Sequence, residues 1–327
     1  MSPAGAELLE DRGDAAAGKE FFRGREFLEA EGVTHTLRIA SEKGELVAPL
    51  IVREIGEGPE RDAISPYGYP GIVGGATAVD FDPPITGSIS AARVEPAEVD
   101  FGPTGLVTAF IRHTLDEPLL AGASERNVVQ IADPELPRKS RSSDRNQVNK
   151  NLRSGYKLRL VPGPETTVAD RSGFLAAYEQ TMRRTGAAER YLFGAAYFDR
   201  ILAADSTWLA LAHAPGGEIA AASIAARSDG YLHYYLSGSA DSHLRDSPMK
   251  NVVAALVDFS TDLGLPLNLG GGISRGDRLE EFKRGFANRE LPWHSSEIVC
   301  DGAAYTRLSA GREANNFFPA YRAALSC

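Results

Sequence analysis

The chain has 327 residues, of which 43% are hydrophobic and 24% are charged, which predicts two globular domains rather than a disordered or fibrous protein. Its formal net charge of −9 argues against broad, nonspecific nucleic-acid binding, and we expect no DNA partner. No run approaches the roughly 18 apolar residues of a membrane span, so no membrane partner is expected either.

The first half of the chain predicts a mixture of helices, strands and one irregular loop. Residues 1–15 carry four acids, one Arg and no apolar core, unlike a signal peptide, and we expect a frayed start. Residues 17–31 have the pattern of an amphipathic helix, and two strands are expected around a turn at Glu42–Gly44. Residues 62–75 are dense in Gly, Pro and Tyr and predict a structured loop, whereas residues 105–115 predict a helix.

A basic segment follows a short buried strand at residues 127–133. Residues 138–159 hold eight Lys or Arg and one Asp, and we expect a helix there that ends at Gly155, followed by a strand. A local basic surface on an acidic body is suited to a phosphate-rich ligand, although a solvated helix face explains the same charges.

The second half predicts a regular alternation of helices and strands. The expected elements are helices at 170–186 and 197–204, a three-stranded meander at 207–239, a helix at 247–264 with Ser247 as N-cap, a strand at 265–272 and a helix at 279–287. Antiparallel strands followed by a strand–helix–strand crossover predict an α/β fold with mixed sheets.

Two cysteines, Cys300 and Cys327, are too few for a disulfide framework, and six scattered His show no metal-ligand spacing. We therefore expect a reduced, cytoplasmic protein with no metal and no bound cofactor.

The element order of the second half is that of a GNAT acyltransferase domain, and six stretches together resemble the Fem (FemABX-like) peptidyltransferase branch of that superfamily. These stretches are 65–71, 107–115, 127–160, 174–202, 231–239 and, most specifically, LNLGGGISRGDRLEEFKRGFA at 267–287. The resemblance implies two tandem GNAT-like domains with an interdomain cleft. The first would span 1–158 and be joined by the C-terminal segment 303–327, and the second would span 159–302.

The resemblance implies an N-acyltransferase that moves an aminoacyl group from the acceptor end of aminoacyl-tRNA to the amine of a small molecule or peptide. Relatives include cell-wall bridge enzymes and enzymes that acylate natural products. Two alternatives stay open, namely an acyl-CoA-dependent N-acyltransferase and a non-catalytic binding protein with the same fold.

Amide formation from an activated ester requires a deprotonated amine, its placement at about 3 Å from the carbonyl, and stabilisation of the developing oxyanion. In the resemblance, Lys283 matches a lysine beside the donor channel and is our candidate for charge stabilisation. Asp62 is the nearest acid to the Tyr-rich loop and is the candidate general base. A surface lysine and a rigid turn are the respective alternatives.

The remaining candidates fall into two groups. For the donor we expect Gly271, which permits close backbone approach, the aromatics Phe282 and Phe286, and the cations Arg245 and Lys250. The loop at 238–251 lacks the glycine pattern of coenzyme A-dependent GNAT enzymes, which favours a tRNA donor. The substrate-binding candidates for the acceptor are Tyr67, Tyr69, Arg112, Thr185, Arg190, Tyr191 and Tyr235.

Overall fold

The computed structural model describes residues 4–41, 44–75, 93–312 and 317–323. The chain divides into two compact units: the first joins Met1–Arg126 to Trp293–Cys327, and the second is Asn127–Pro292. The basic helix and the strand after it therefore belong to the second unit, although the sequence-based boundary placed most of this segment before residue 158.

The helices and strands of the described residues have the following bounds. The strands are β1 (Ala4–Leu9), β2 (His35–Ser41), β3 (Gly44–Glu54), β4 (Arg61–Ile64), β5 (Val73–Gly74), β6 (Val99–Asp100), β7 (Leu106–Arg112), β8 (Ser124–Ala132), β9 (Lys157–Pro162), β10 (Thr207–His213), β11 (Ile219–Ser228), β12 (Tyr231–Ser239), β13 (Leu267–Gly270) and β14 (Arg289–Val299). The helices are α1 (Arg25–Ala30), α2 (Ser142–Arg153), α3 (Val168–Thr185), α4 (Ala195–Ile201), α5 (Met249–Asp262), α6 (Arg278–Arg284) and α7 (Gly302–Ser309).

The first unit is built on a mixed sheet with the strand order β6-β1-β2-β3-β4-β7-β14, and β5 pairs with β3. Most neighbours are antiparallel, whereas β4 and β7 are parallel, as are β1 and β6. Its core packs fully buried side chains from neighbouring strands, among them Leu37, Leu50 and Ile111.

Two predictions for the first unit are wrong. Residues 106–112 form strand β7 instead of a helix. Side chains on both faces of this strand are buried, so its sequence lacks the alternation of apolar and polar residues that identifies a strand. A short apolar run of this kind does not distinguish a buried strand from a buried helix. The expectation of a frayed start fails from residue 4 onward: β1 pairs with β2 from Gly5↔Ala40 to Leu9↔Thr36.

The amphipathic segment at 17–31 is helical only over Arg25–Ala30, after a single 3₁₀ turn at Phe21–Arg23. Its phenylalanines are fully buried and pack edge to face, with ring centroids of Phe22 and Phe27 5.3 Å apart. Of the expected turn at Glu42–Gly44, residues 42 and 43 lie outside the described part, as does Cys327.

The second unit confirms the predicted order of two helices, three strands, a helix, a strand and a helix. Its strands follow the order β8-β13-β12-β11-β10-β9, and only β12 and β13 run parallel. Helix α5 buries Val252, Val253 and Leu256 against Leu267 and Leu269 of β13. Ser247 is not the N-cap of α5, because it has a left-handed backbone (φ 49°) and makes no capping hydrogen bond. None of the helices in the described ranges has the length and apolar character of a membrane span.

Candidate active site

The parallel strands β12 and β13 separate shortly after they meet. Their register holds only two pairs, Leu232↔Leu267 and His233↔Asn268. In the same region, β12 carries a bulge opposite β11 that leaves Tyr235 between the pairs Ala225↔Tyr234 and Ile224↔Leu236. Ligands of open α/β sheets bind where neighbouring strands diverge at their carboxyl ends, so this opening is the natural place for a substrate in the second unit.

Lys283 lies beside this opening with its side chain withdrawn from solvent. It is 8% exposed, and its ammonium donates a hydrogen bond to the Gly271 carbonyl over 2.7 Å. The ammonium also lies 6.0 Å from the ring centroid of Tyr234 on β12. Burial lowers the pKa of Lys283 to about 8, and the carboxylate of Asp277 opposes that shift. The group is therefore a buried cation that loses its proton close to physiological pH.

The loop between β13 and α6, whose Gly271 carbonyl accepts the hydrogen bond from Lys283, requires glycine at two positions. A Cβ on Gly271 would lie 2.6 Å from the side chain of Asn127 and 2.7 Å from the Val128 carbonyl, and one on Gly272 would meet Asp277 at 2.4 Å. Asn127 donates to the Gly272 carbonyl over 2.9 Å, which ties the loop to β8. The Gly271 carbonyl is thus held in one position for the ammonium.

Asp277 organises the rest of the loop and the start of α6. Its carboxylate accepts hydrogen bonds from the backbone amides of Ile273 (2.7 Å), Ser274 (3.0 Å) and Glu280 (2.8 Å). These donors lower its pKa, although burial works in the opposite direction and is the largest single influence. As the N-cap of α6, Asp277 fixes the helix that carries Lys283.

The other donor candidates are divided between the core and the surface. Phe282 and Phe286 pack on each other at 5.7 Å; Phe286 is buried in the core of the second unit, and Phe282 is partly buried against it. Lys250 forms an ion pair with the buried Asp144 over 2.9 Å, so its charge is already neutralised. Arg245 is exposed and has no ion pair or hydrogen bond within the described ranges.

The acceptor candidates of the second unit lie at the end of α3, in the 3₁₀ turn that follows it and on β12. Thr185 bonds the Thr181 carbonyl one turn earlier in its own helix. Arg190 stacks on Tyr191 at 4.8 Å, and the Tyr191 carbonyl accepts a 2.6 Å hydrogen bond from Tyr178. Tyr235 pairs its hydroxyl with that of Tyr197 over 2.8 Å.

Asp62 in the first unit is a fully buried ion-pairing carboxylate. It accepts from Arg53 (2.9 Å), from Tyr321 (3.1 Å) and from two nitrogens of Arg322. Its exposed fraction is 0%, so in this conformation the carboxylate has no surface that an amine can contact. These contacts attach the C-terminal segment to β4.

The Tyr-rich loop after β4 packs on the aromatic cluster of the first unit. The ring of Tyr69 contacts Phe22 at 5.5 Å and Trp293 at 5.9 Å. The Tyr67 amide donates to Glu31 over 2.8 Å. Arg112 donates to the Ser65 carbonyl over 2.5 Å and lies over Phe110, so the guanidinium fixes the first residue of the loop.

Comparisons with known proteins give one consistent result. Residues 138–284 match the family model described as Acetyltransferase (GNAT) domain. The fold is similar to that of FemX (TM-score 0.55, 11% identity, 90% of this chain and 96% of that chain). It is also similar to the C-terminal domain of a putative lysylphosphatidylglycerol synthetase from Agrobacterium fabrum (TM-score 0.57, 16% identity, 90% and 92%). This chain has the Fem-like GNAT fold. By sequence, no characterised protein matches it significantly.

Several residues that shape the site were not among the candidates drawn from the sequence. Nothing in the sequence marked Asn127 or Tyr234 as site residues, because each contacts the site through a residue far away in the chain. Asn127 bonds Gly272, and Tyr234 lies near the Lys283 ammonium. Asp277 could have been found, since Asp-x-x-Glu before an apolar turn is a capping signature. His233 is a core residue: it bonds Asn268 and the Ser228 carbonyl, and burial lowers its pKa to about 4.

Proposed function

We propose that this protein is an N-acyltransferase that forms an amide by moving an aminoacyl group from aminoacyl-tRNA to the amine of a small-molecule or peptide acceptor. The observation that carries the proposal is the buried Lys283 ammonium, held on the Gly271 carbonyl where β12 and β13 separate. A cation with little water around it interacts strongly with charge that develops on a reacting carbonyl oxygen.

In this mechanism Lys283 shifts part of its hydrogen bonding from Gly271 to the oxyanion of the tetrahedral intermediate. The amine attacks the ester carbonyl of the aminoacyl donor, the C–N bond forms, and the C–O bond to the ribose breaks as the intermediate collapses. The amine proton leaves to solvent or to the departing ribose oxygen. No covalent enzyme intermediate is needed, which suits a site whose central group is an ammonium.

The loop before α5 favours tRNA over coenzyme A as the donor. Pyrophosphate binding by a helix start relies on free backbone amides. Here the amides of Lys250 and Asn251 already donate to the Ser247 and Pro248 carbonyls, and the Lys250 ammonium is paired with Asp144. The exposed Arg245 is the feature that favours the alternative, an acyl-CoA donor, because its guanidinium can bind a phosphate.

A donor assay separates these functions. The purified protein is mixed with a panel of aminoacylated tRNAs or with acyl-CoA, each with candidate amines, and the product mass is followed. We expect turnover that ribonuclease abolishes. Turnover with acyl-CoA alone selects the alternative donor, and ligand binding without turnover on either donor selects the non-catalytic protein.

Lys283→Met tests the charge-stabilising role within that assay. We expect turnover to fall by roughly tenfold to a thousandfold, as for loss of one donor to a developing oxyanion. Unchanged turnover would remove Lys283 from the mechanism.

A further inference from the structure

Helix α2 buries polar groups, which is unusual for a helix that packs on a core. Asn151 is 1% exposed and donates to the Asp246 carbonyl (2.8 Å) and to Asn251 (2.7 Å). Gln147 bonds the same Asp246 carbonyl over 3.0 Å, and Asp144 pairs with Lys250. This amide face fixes α2 against the start of α5.

The opposite side of α2 is exposed and cationic. Arg145, Lys150 and Arg153 lie there, whereas the single acid of the helix, Asp144, belongs to the buried face. The guanidinium groups of Arg145 and Arg153 bond backbone carbonyls rather than acids, and the Lys150 ammonium has no ion pair or hydrogen bond in the described part of the chain. The charges on this side, called here the α2 cationic face (Arg145, Lys150 and Arg153), are therefore not neutralised.

Helix α2, which carries the α2 cationic face, contacts two regions that hold donor candidates. At its first turn, the Arg141 amide donates to the Gly285 carbonyl over 3.4 Å, directly after the helix that carries Lys283. On the buried face of the same helix, Asn151 donates to the carbonyl of Asp246, the neighbour of Arg245. From residue 145 to residue 153 the cations extend over about 12 Å at 1.5 Å rise per residue.

We propose that the α2 cationic face binds the phosphate backbone at the acceptor end of tRNA, an inference that rests on the proposed function. Charge complementarity carries it, because three un-neutralised cations stand on a chain of net charge −9 and would attract a polyanion locally. An anionic membrane is the weaker fit: helices that lie on membranes bury a broad apolar face, and the exposed side of α2 has only Leu152 as a large apolar residue.

The test compares two double substitutions that remove the same charge. Lys150→Gln/Arg153→Gln removes two cations of the α2 cationic face, and Lys19→Gln/Arg227→Gln removes two exposed cations elsewhere. Binding of unacylated tRNA is measured by filter retention or mobility shift at several salt concentrations. We expect the α2 variant to bind about tenfold more weakly. Its slope of log affinity against log salt should decrease in magnitude by about 1.5, as for two lost phosphate contacts.

The outcomes separate this inference from the proposed function. Equal affinities for the α2 variant and the control, with tRNA binding intact, overturn the assignment of the face but leave the proposed function standing. Absence of tRNA binding and of ribonuclease-sensitive turnover in the unsubstituted protein overturns the proposed function. Binding to phosphatidylglycerol vesicles that is lost in the α2 variant, with unchanged tRNA affinity, assigns the face to lipid and also overturns the inference.

Discussion

At the scale of single residues, the protonation state of Lys283 determines how activity should depend on pH. Burial lowers its pKa to about 8, so the ammonium is present at pH 7 and is lost as the pH rises through 8. If the charged form stabilises the oxyanion, kcat should fall on the alkaline side of pH 8. Arg stays charged to far higher pH, so Lys283→Arg should shift this decline upward by two units or more even if its rate is lower.

A pH–rate profile of kcat for both proteins checks this prediction. The same profile with the unsubstituted protein distinguishes the opposite chemistry: if neutral Lys283 were the base that deprotonates the amine, kcat would rise through pH 8 instead of falling.

Asp62 poses the question of whether a buried carboxylate is structural or catalytic. Asp62→Asn removes a charge that Arg53 and Arg322 share, and each guanidinium then loses its acidic partner. We expect the free energy of unfolding to fall by about 2–4 kcal/mol, because the group is fully buried while its partners are partly exposed.

Urea unfolding measures that loss, and turnover of the folded fraction should be retained within a few fold. A variant with normal stability and turnover reduced by orders of magnitude would instead establish Asp62 as the base.

Lys283 and Asp62 could be predicted as candidates from the sequence, but their surroundings could not. The motif around Lys283 singled out this lysine, and the structure places it beside the strand opening. Its burial could not be predicted, because it depends on Gly271 and Tyr234, which approach only in the folded sheet. In the same way, the sequence placed Asp62 near a Tyr-rich loop but did not reveal that Arg322, 260 residues away, occupies it.

At the scale of elements, the glycine loop between β13 and α6 connects packing with chemistry. In Gly271→Ala the new methyl group would meet Asn127 and the Val128 carbonyl at less than 3 Å, so the loop must move. The Gly271 carbonyl moves with it and releases the Lys283 ammonium. We expect kcat to fall by at least tenfold and the free energy of unfolding by about 1–3 kcal/mol.

Gly18→Ala is the matched control, since a Cβ there has no heavy atom within 4 Å. Wild-type turnover in Gly271→Ala would show that the carbonyl does not position Lys283.

Helices and strands could be predicted where a glycine at the end of the element accompanied a clear periodicity of apolar residues. The basic helix ends where Gly155 adopts a left-handed backbone (φ 92°), and the meander turns at Gly217 and Gly230 as expected. Strand β7 was missed because its Val107 and Thr108 are buried on opposite faces, which removes the alternation that identifies a strand. Strand β1 was missed because its partners, β2 and β6, lie far along the chain.

At the scale of the whole molecule, the units are compact by internal contacts and each has its own core, which predicts separate unfolding events. The core of the first unit lies on β1–β4, β7 and β14, and that of the second on α5 and the strands around β13. The sequence predicted the fold through element order in the second half, and the resemblance implied that segment 303–327 joins the first unit. The side chains that attach this segment, such as Arg322 on Asp62, could not be predicted, because they lie far from their partners in the sequence.

A chain that ends at Arg312 would test whether the units unfold separately and whether the C-terminal side chains stabilise the first unit. It lacks the Tyr321 hydroxyl, which bonds Thr108 over 2.7 Å, and the Arg322 guanidinium, which bonds Asp62 and the Glu54 carbonyl. The buried Asp62 would keep Arg53 alone, so we expect the first unit to lose about 3–5 kcal/mol, the cost of breaking a buried ion pair. Differential scanning calorimetry should show one transition moved to lower temperature and the other unchanged.

Full-length Arg322→Gln is the control for this truncation, since it removes the cation but keeps Tyr321 in place. It should give a smaller shift of the same transition, because the hydroxyl still bonds Thr108 and Asp62. If both variants lowered the temperature of a single common transition, the two units would unfold together. The stability of the second unit would then depend on the C-terminal side chains that pack on the first unit.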